Sequence, residues 1–174
     1  MDDIKISHVD TEIVTQVIDL MKEAYGKEAP LTISRVKVHK YLGMNIDYRQ
    51  WGKVIITMYE FINELLRKVP EDMNGEANTP ASSHLLNVND NGTKLDERQS
   101  IMFHHFIAKL LFLCKWAWPD LQTAVAFLST RVKAPDSDDY KKLCRVVQYL
   151  RASKELPLVG KTTKQSTKRW QLRA

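Results

Sequence analysis

The spacing of apolar residues changes period along this chain, and that change limits the fold more than any single motif. Up to Thr57 the pattern is mainly period two. Asp3-Ile4-Lys5-Ile6-Ser7-His8-Val9 alternates polar and apolar side chains and reads as a strand. Between residues 36 and 48 the clearest strand pattern appears: Val36, Val38, Leu42, Met44, Ile46 and Tyr48 share one parity, and Lys37, His39, Asn45 and Asp47 the other. A turn at Gln50-Trp51-Gly52 sends the chain back through Lys53-Val54-Ile55-Ile56-Thr57, which makes a hairpin. One helix interrupts these strands. Asp10 or Thr11 caps it, Val14, Val17, Ile18, Met21 and Tyr25 form its apolar face, and Gly26 closes it.

After Thr57 the period becomes helical. Met58, Phe61, Ile62, Leu65, Leu66 and Val69 fall on one face until Pro70 stops the helix. Residues 71–95 are rich in Asn, Gly, Ser and Pro, and a connection this long is functional or disordered more often than it is inert. Three helices follow. One runs from Asp96 to Lys115 and is apolar nearly all round in its later part, hence buried. The second opens at Pro119-Asp120 and reaches Arg131. The third opens at Ser137-Asp138-Asp139, where acids suit a helix N-terminus, and buries Tyr140, Leu143, Cys144, Val147 and Leu150. Asp138-Asp139 is otherwise read as surface charge. No internal repeat is visible. The pattern predicts an α+β fold with a helical C-terminal half.

Charge excludes one easy conclusion. The net charge is +5, and residues 161–174 hold Lys161, Lys164, Lys168, Arg169 and Arg173 without an acid. The excess therefore sits in that tail and the rest of the chain is balanced, so a global basic charge is no reason to expect nucleic-acid binding. No apolar run approaches the ~20 residues of a membrane-spanning helix. Met1-Asp2-Asp3 is unlike a secretory leader, and Cys114 and Cys144 lie in apolar helical patterns, which reads as a reduced pair of core residues in an intracellular protein, cytoplasmic or nuclear. His104-His105 has no ligand partner at metal spacing, and no Gly-rich phosphate loop is readable.

A set of local strings in one order carries a resemblance. Tyr41-Leu42-Gly43-Met44-Asn45-Ile46, then Gly52-Lys53-Val54-Ile55-Ile56 with Phe61-Ile62 and Leu65-Leu66, then Thr79-Pro80, then Ala108-Lys109-Leu110-Leu111-Phe112-Leu113, then Ala117-Trp118-Pro119-Asp120-Leu121, then Val147-Gln148-Tyr149-Leu150-Arg151 follow one another. Together they resemble the reverse transcriptases of copia-type retrotransposons over residues 2–158. Met1-Asp2-Asp3 is similar to the last three positions of that family's Tyr-x-Asp-Asp hairpin.

The resemblance implies a partial polymerase palm over 1–58, thumb- and connection-like helices over 59–158, and a basic tail without fixed structure over 159–174. It implies that Asp2 and Asp3 are two of three catalytic carboxylates that bind Mg²⁺. Nucleotide transfer needs two such ions about 3.5–4 Å apart, and carboxylates suit this hard cation. The third aspartate and the fingers lie upstream in the family, so the expectation is an RNA-directed DNA polymerase fragment of a Pol polyprotein that is inactive alone. The stretch around Tyr41, Leu42, Gly43 and Met44 resembles the primer-grip hairpin, with Leu42 and Met44 expected in the core. Lys109 and Phe112 lie on the helix similar to the one that follows the minor groove of the primer–template. Expected partners are that RNA/DNA primer–template and the remaining polyprotein segments. The alternatives are a non-catalytic module that binds RNA or RNA–DNA hybrid, and a remnant adopted for protein interaction. The family has arginine where Trp118 stands, which suggests a decaying element copy.

Overall fold

The computed structural model describes residues 3–8, 10–27, 30–161 and 169–173, with backbone alone at Asp3 and over 169–173. The fold is α+β. It forms two compact units: Met1–Thr57 with Pro157–Ala174, and Met58–Leu156.

Among the described residues the first unit holds two antiparallel sheets and one helix. β1 (Asp3–Ser7), β2 (Thr32–Ser34) and β7 (Arg169–Arg173) form one sheet in the order β1-β7-β2. β3 (Val38–Tyr41), β4 (Met44–Asp47), β5 (Lys53–Thr57) and β6 (Leu158–Lys161) form the other, in that order. Helix α1 (Thr11–Tyr25) begins where the Asp10 carboxylate accepts the Glu12 N–H at 2.9 Å, satisfying one of the donors that every helix start leaves open. Val14 and Ile18 are its buried residues, packed with Ile6, Met21 and Ile33. Each such burial is worth about 1.5–3 kcal/mol.

Two expectations for this unit need correcting. The alternation over 36–48 is not one strand. It folds at Leu42-Gly43, where both residues have positive φ (49° and 74°), as a two-residue turn matched to strand twist requires. The turn inverts the parity of β3: His39 pairs with Ile46 and is buried, whereas Val38 pairs with Asp47 and is exposed. Leu42, expected in the core, is 42% exposed at the tip, while Met44 is buried as expected. Nor is the segment after 158 without structure throughout. Leu158 to Lys161 extends the sheet beside β5, and Arg169 to Arg173 pairs with both β1 and β2. Backbone donors and acceptors on the free edge of β5 offset the poor apolar content of that stretch.

The second unit is helical. Helix α2 (Tyr59–Leu66) leads through a turn to the 71–95 segment; α3 (Glu97–Trp116), α4 (Gln122–Arg131) and α5 (Ser137–Ser153) follow. Phe103, Leu110, Leu113, Leu128, Leu143 and Leu150 are among the side chains fully buried in it. Asp96 caps α3 by accepting the Gln99 N–H at 2.7 Å. Helix α5 begins at Ser137, as its sequence indicates, and Asp136 caps it: Asp136 accepts the N–H groups of Asp138 and Asp139 at 2.8 and 2.9 Å, and Asp139 accepts the Asp136 N–H in return. Asp139 is therefore not surface charge. It is 1% exposed and receives the Arg131 Nε at 3.0 Å. The carboxyl of Asp136 presses on Gly92, where a Cβ would come within 2.9 Å of it.

The long segment opens with one 3-10 turn at Glu71–Met73 and then runs as a loop fastened along α5. Tyr140 donates to Asp72, Gln148 to the Asn74 carbonyl at 2.8 Å, Arg151 to the Gly75 carbonyl at 2.9 Å and Arg145 to Thr79 Oγ1 at 2.8 Å. Asn89 donates to Asp138 at 2.8 Å. Polar residues that cannot form a core are here the means of docking. Both cysteines are free thiols, Cys114 buried and pushed by that burial up to about 12, Cys144 half-buried.

Candidate nucleic-acid interface

Helix α3 buries one face and presents a second outward. The inner face carries Phe103, Phe106, Ile107, Leu110 and Leu113. Arg98, Ile101, Met102, His105 and Lys109 recur at three- and four-residue spacing, which stacks them along one side of a helix. Together with Lys68, just past α2, and an edge of Phe106, they line a shallow groove of about 260 Å³. Ile101, in its lining, is 52% exposed. The groove lining contains three permanent cations and no carboxylate. Glu64, which is exposed, bonds Lys68 at 2.9 Å. Its carboxyl is held below the usual range chiefly by that hydrogen bond, with smaller help from Lys109 and Arg67.

Lys109 is half-buried, with its stem along this helix and its charge at the groove. Phe112 lies elsewhere: it is half-buried, its ring 5.5 Å from that of Phe61 and tilted by 48°, so it ties α3 to α2. Arg98, His105 and Lys68 were missed in the sequence. Stepping back from Lys109 by four, seven and eleven residues would have found the stripe on α3; Lys68 shows only in the fold.

The hairpin tip similar to a primer grip has Tyr41 half-buried, Leu42 exposed and Met44 buried, so Leu42 and Gly43 are its accessible part. Gly43 adopts the left-handed backbone the turn needs, which accounts for glycine there without a ligand. Asp2 lies outside the described residues. Of Asp3 only the backbone is described, paired with Arg173. Among the described residues no three His, Cys, Asp or Glu side chains come together to hold a metal ion, and no helix is long and apolar enough to cross a membrane.

Trp118, where the resemblance leads one to expect arginine, is 4% exposed and donates its indole N–H to Ser153 Oγ at 3.3 Å. Asp120, which an arginine could have paired, instead accepts the Tyr149 hydroxyl. That hydrogen bond, with burial adding to it, pushes Tyr149 up to about 12. The tryptophan is thus built into the helical core.

Comparison with protein-family models, with curated proteins and with solved structures finds no match to this chain.

Proposed function

We propose that this chain is a polymerase-derived module, the thumb side of a copia-type RNA-directed DNA polymerase, that holds an RNA–DNA hybrid and does not join nucleotides as these 174 residues alone. One observation supports the reading above others. The α3 stripe sets Arg98, His105 and Lys109, with Lys68 beside them, around the apolar pair Ile101 and Met102. A helix so built can follow a duplex groove by shape, with apolar side chains toward sugars and cations toward phosphates, and needs no base-specific contact. The same helix carries the Lys109–Leu113 string on which the resemblance to the thumb rests.

The chemistry of transfer supports the second half of the proposal. Two Mg²⁺ ions need carboxylates from more than one place, and the resemblance assigns only Asp2 and Asp3 within these residues. Mg²⁺ would serve the intact family; here a bound ion would find two ligands instead of three. The test is one sample read two ways. Fluorescence anisotropy follows binding of a labelled RNA–DNA hybrid, and a gel follows primer extension with Mg²⁺ and all four nucleotides. We expect binding and no extension. Extension above background would refute the inactivity, and absence of binding at low salt would refute the proposal itself.

A further inference from the structure

The four-stranded sheet has a second, outward face that the reading above does not use. Pairing registers place Lys40, Asn45, Asp47, Lys53, Ile55, Thr57, Val159 and Lys161 on it, opposite the face that carries His39, Met44 and Ile46. Val159 is 51% exposed, and Lys40, Lys53 and Lys161 are exposed as well. The face has one acid, Asp47, and it is already taken: Arg49 grips it with Nε at 2.9 Å and Nη2 at 2.6 Å. Lys53 and Lys161 stand directly across from each other on β5 and β6. Like charges set opposite destabilise a sheet, and neither lysine has an ion pair or side-chain hydrogen bond among the described residues. Two residues before Lys53, in the turn closed by Lys53 N–H to the Gln50 carbonyl, Trp51 is 75% exposed.

We propose that this face, with Trp51 at its rim, is a binding surface for single-stranded nucleic acid, with an unpaired base stacked on the indole and phosphates on Lys53 and Lys161. An open antiparallel sheet with cations and an aromatic ring fits that ligand because an unpaired base offers a free π face, whereas a base inside a duplex is stacked on both sides. The opposed lysines give up their mutual repulsion when a phosphate lies between them. An acidic polypeptide would satisfy the lysines but leaves the tryptophan without a reason. The surface is independent of the α3 groove.

The experiment uses the full chain and a labelled oligonucleotide of about 12 nucleotides, a length within the span such surfaces cover. Trp51→Ala is expected to weaken binding about tenfold and Trp51→Phe far less, as loss of one base stack does. Lys53→Ala/Lys161→Ala is expected to lower the slope of log affinity against log salt by about 1.4, two single-strand phosphates' worth. Arg98→Ala/Lys109→Ala, which should cripple hybrid binding, is expected to leave the oligonucleotide unaffected, so failure of either surface is seen separately. Because the three side chains are exposed, their removal should leave the circular dichroism unchanged. Two results would overturn the assignment: Trp51→Ala binding as tightly as wild type, or an abasic oligomer or polyglutamate competing as well as the base-bearing strand.

Discussion

Removing the Asp136 carboxylate should unfold the helical unit far more readily than removing the equivalent group at the start of α3. Asp136→Ala deletes the acceptor for two helix N–H groups and a contact to Arg131 at 3.4 Å, and it does so where the side chain is nearly closed to water. A lost cap costs about 1–2 kcal/mol, toward the upper end when buried N–H groups are left unpaired. Weakening the charged hydrogen bonds around Arg131 and Asp139 adds about 1–2 kcal/mol. The sum, about 3 kcal/mol, corresponds to a fall in Tm of about 6–12 °C for a chain of this size. Asp96→Ala is the internal comparison. Asp96 is exposed and accepts a single N–H, so its loss should cost about 1 kcal/mol. Asp136→Asn keeps an oxygen for capping while discarding charge, and should fall between the two. Thermal melts followed by far-ultraviolet circular dichroism, with urea titrations alongside, give all three values. If Asp136→Ala costs no more than Asp96→Ala, burial and the Arg131 link contribute nothing and the reasoning fails.

Two further outcomes follow from local geometry. Leu42 holds a left-handed backbone at φ 49° that favours Asn or Gly, so Leu42→Asn should raise stability by about 1 kcal/mol, measured as a higher urea midpoint at unchanged slope. Tyr149 has its folded pKa raised from about 10 to about 12 by Asp120, so its protonated form is favoured in the fold; the stability this lends is complete below pH 10 and lost as pH rises from 10 to 12. Melts of wild type and Tyr149→Phe across that range should converge at high pH, and parallel curves would contradict the assignment.

How legible the fold was depended on whether a segment's shape is decided by its own residues. Helices α1 to α5 were readable because two or more turns of apolar spacing and Gly, Pro or Asp at their ends agree with one another. Periodicity alone hides the β3–β4 turn, because Leu42 and Met44 continue the alternation through it and only pairing with β4 decides which parity is buried; the hairpin at Tyr41–Met44 shows only in the resemblance. β6 was unreadable for a related reason: Leu158-Val159-Gly160-Lys161 has no face of its own and is recruited by the edge of β5, more than a hundred residues away in sequence. Asp139 looked like ordinary surface charge because nothing nearby in sequence signals that Arg131 folds back upon it. At the candidate interface the string at Lys109 points to α3, whereas Lys68 comes from the turn after α2 and emerges only on packing.

Salt dependence of binding tests most directly whether the α3 groove meets phosphate. Binding of an RNA–DNA hybrid should be followed from about 50 to 200 mM salt for wild type and for Arg98→Ala/Lys109→Ala. Two lost duplex phosphate contacts should reduce the slope of log affinity against log salt by about 1.8 and weaken binding most at low salt. An unchanged slope and affinity in the variant would mean that hybrid, if it binds at all, binds elsewhere, and the proposed interface would be wrong.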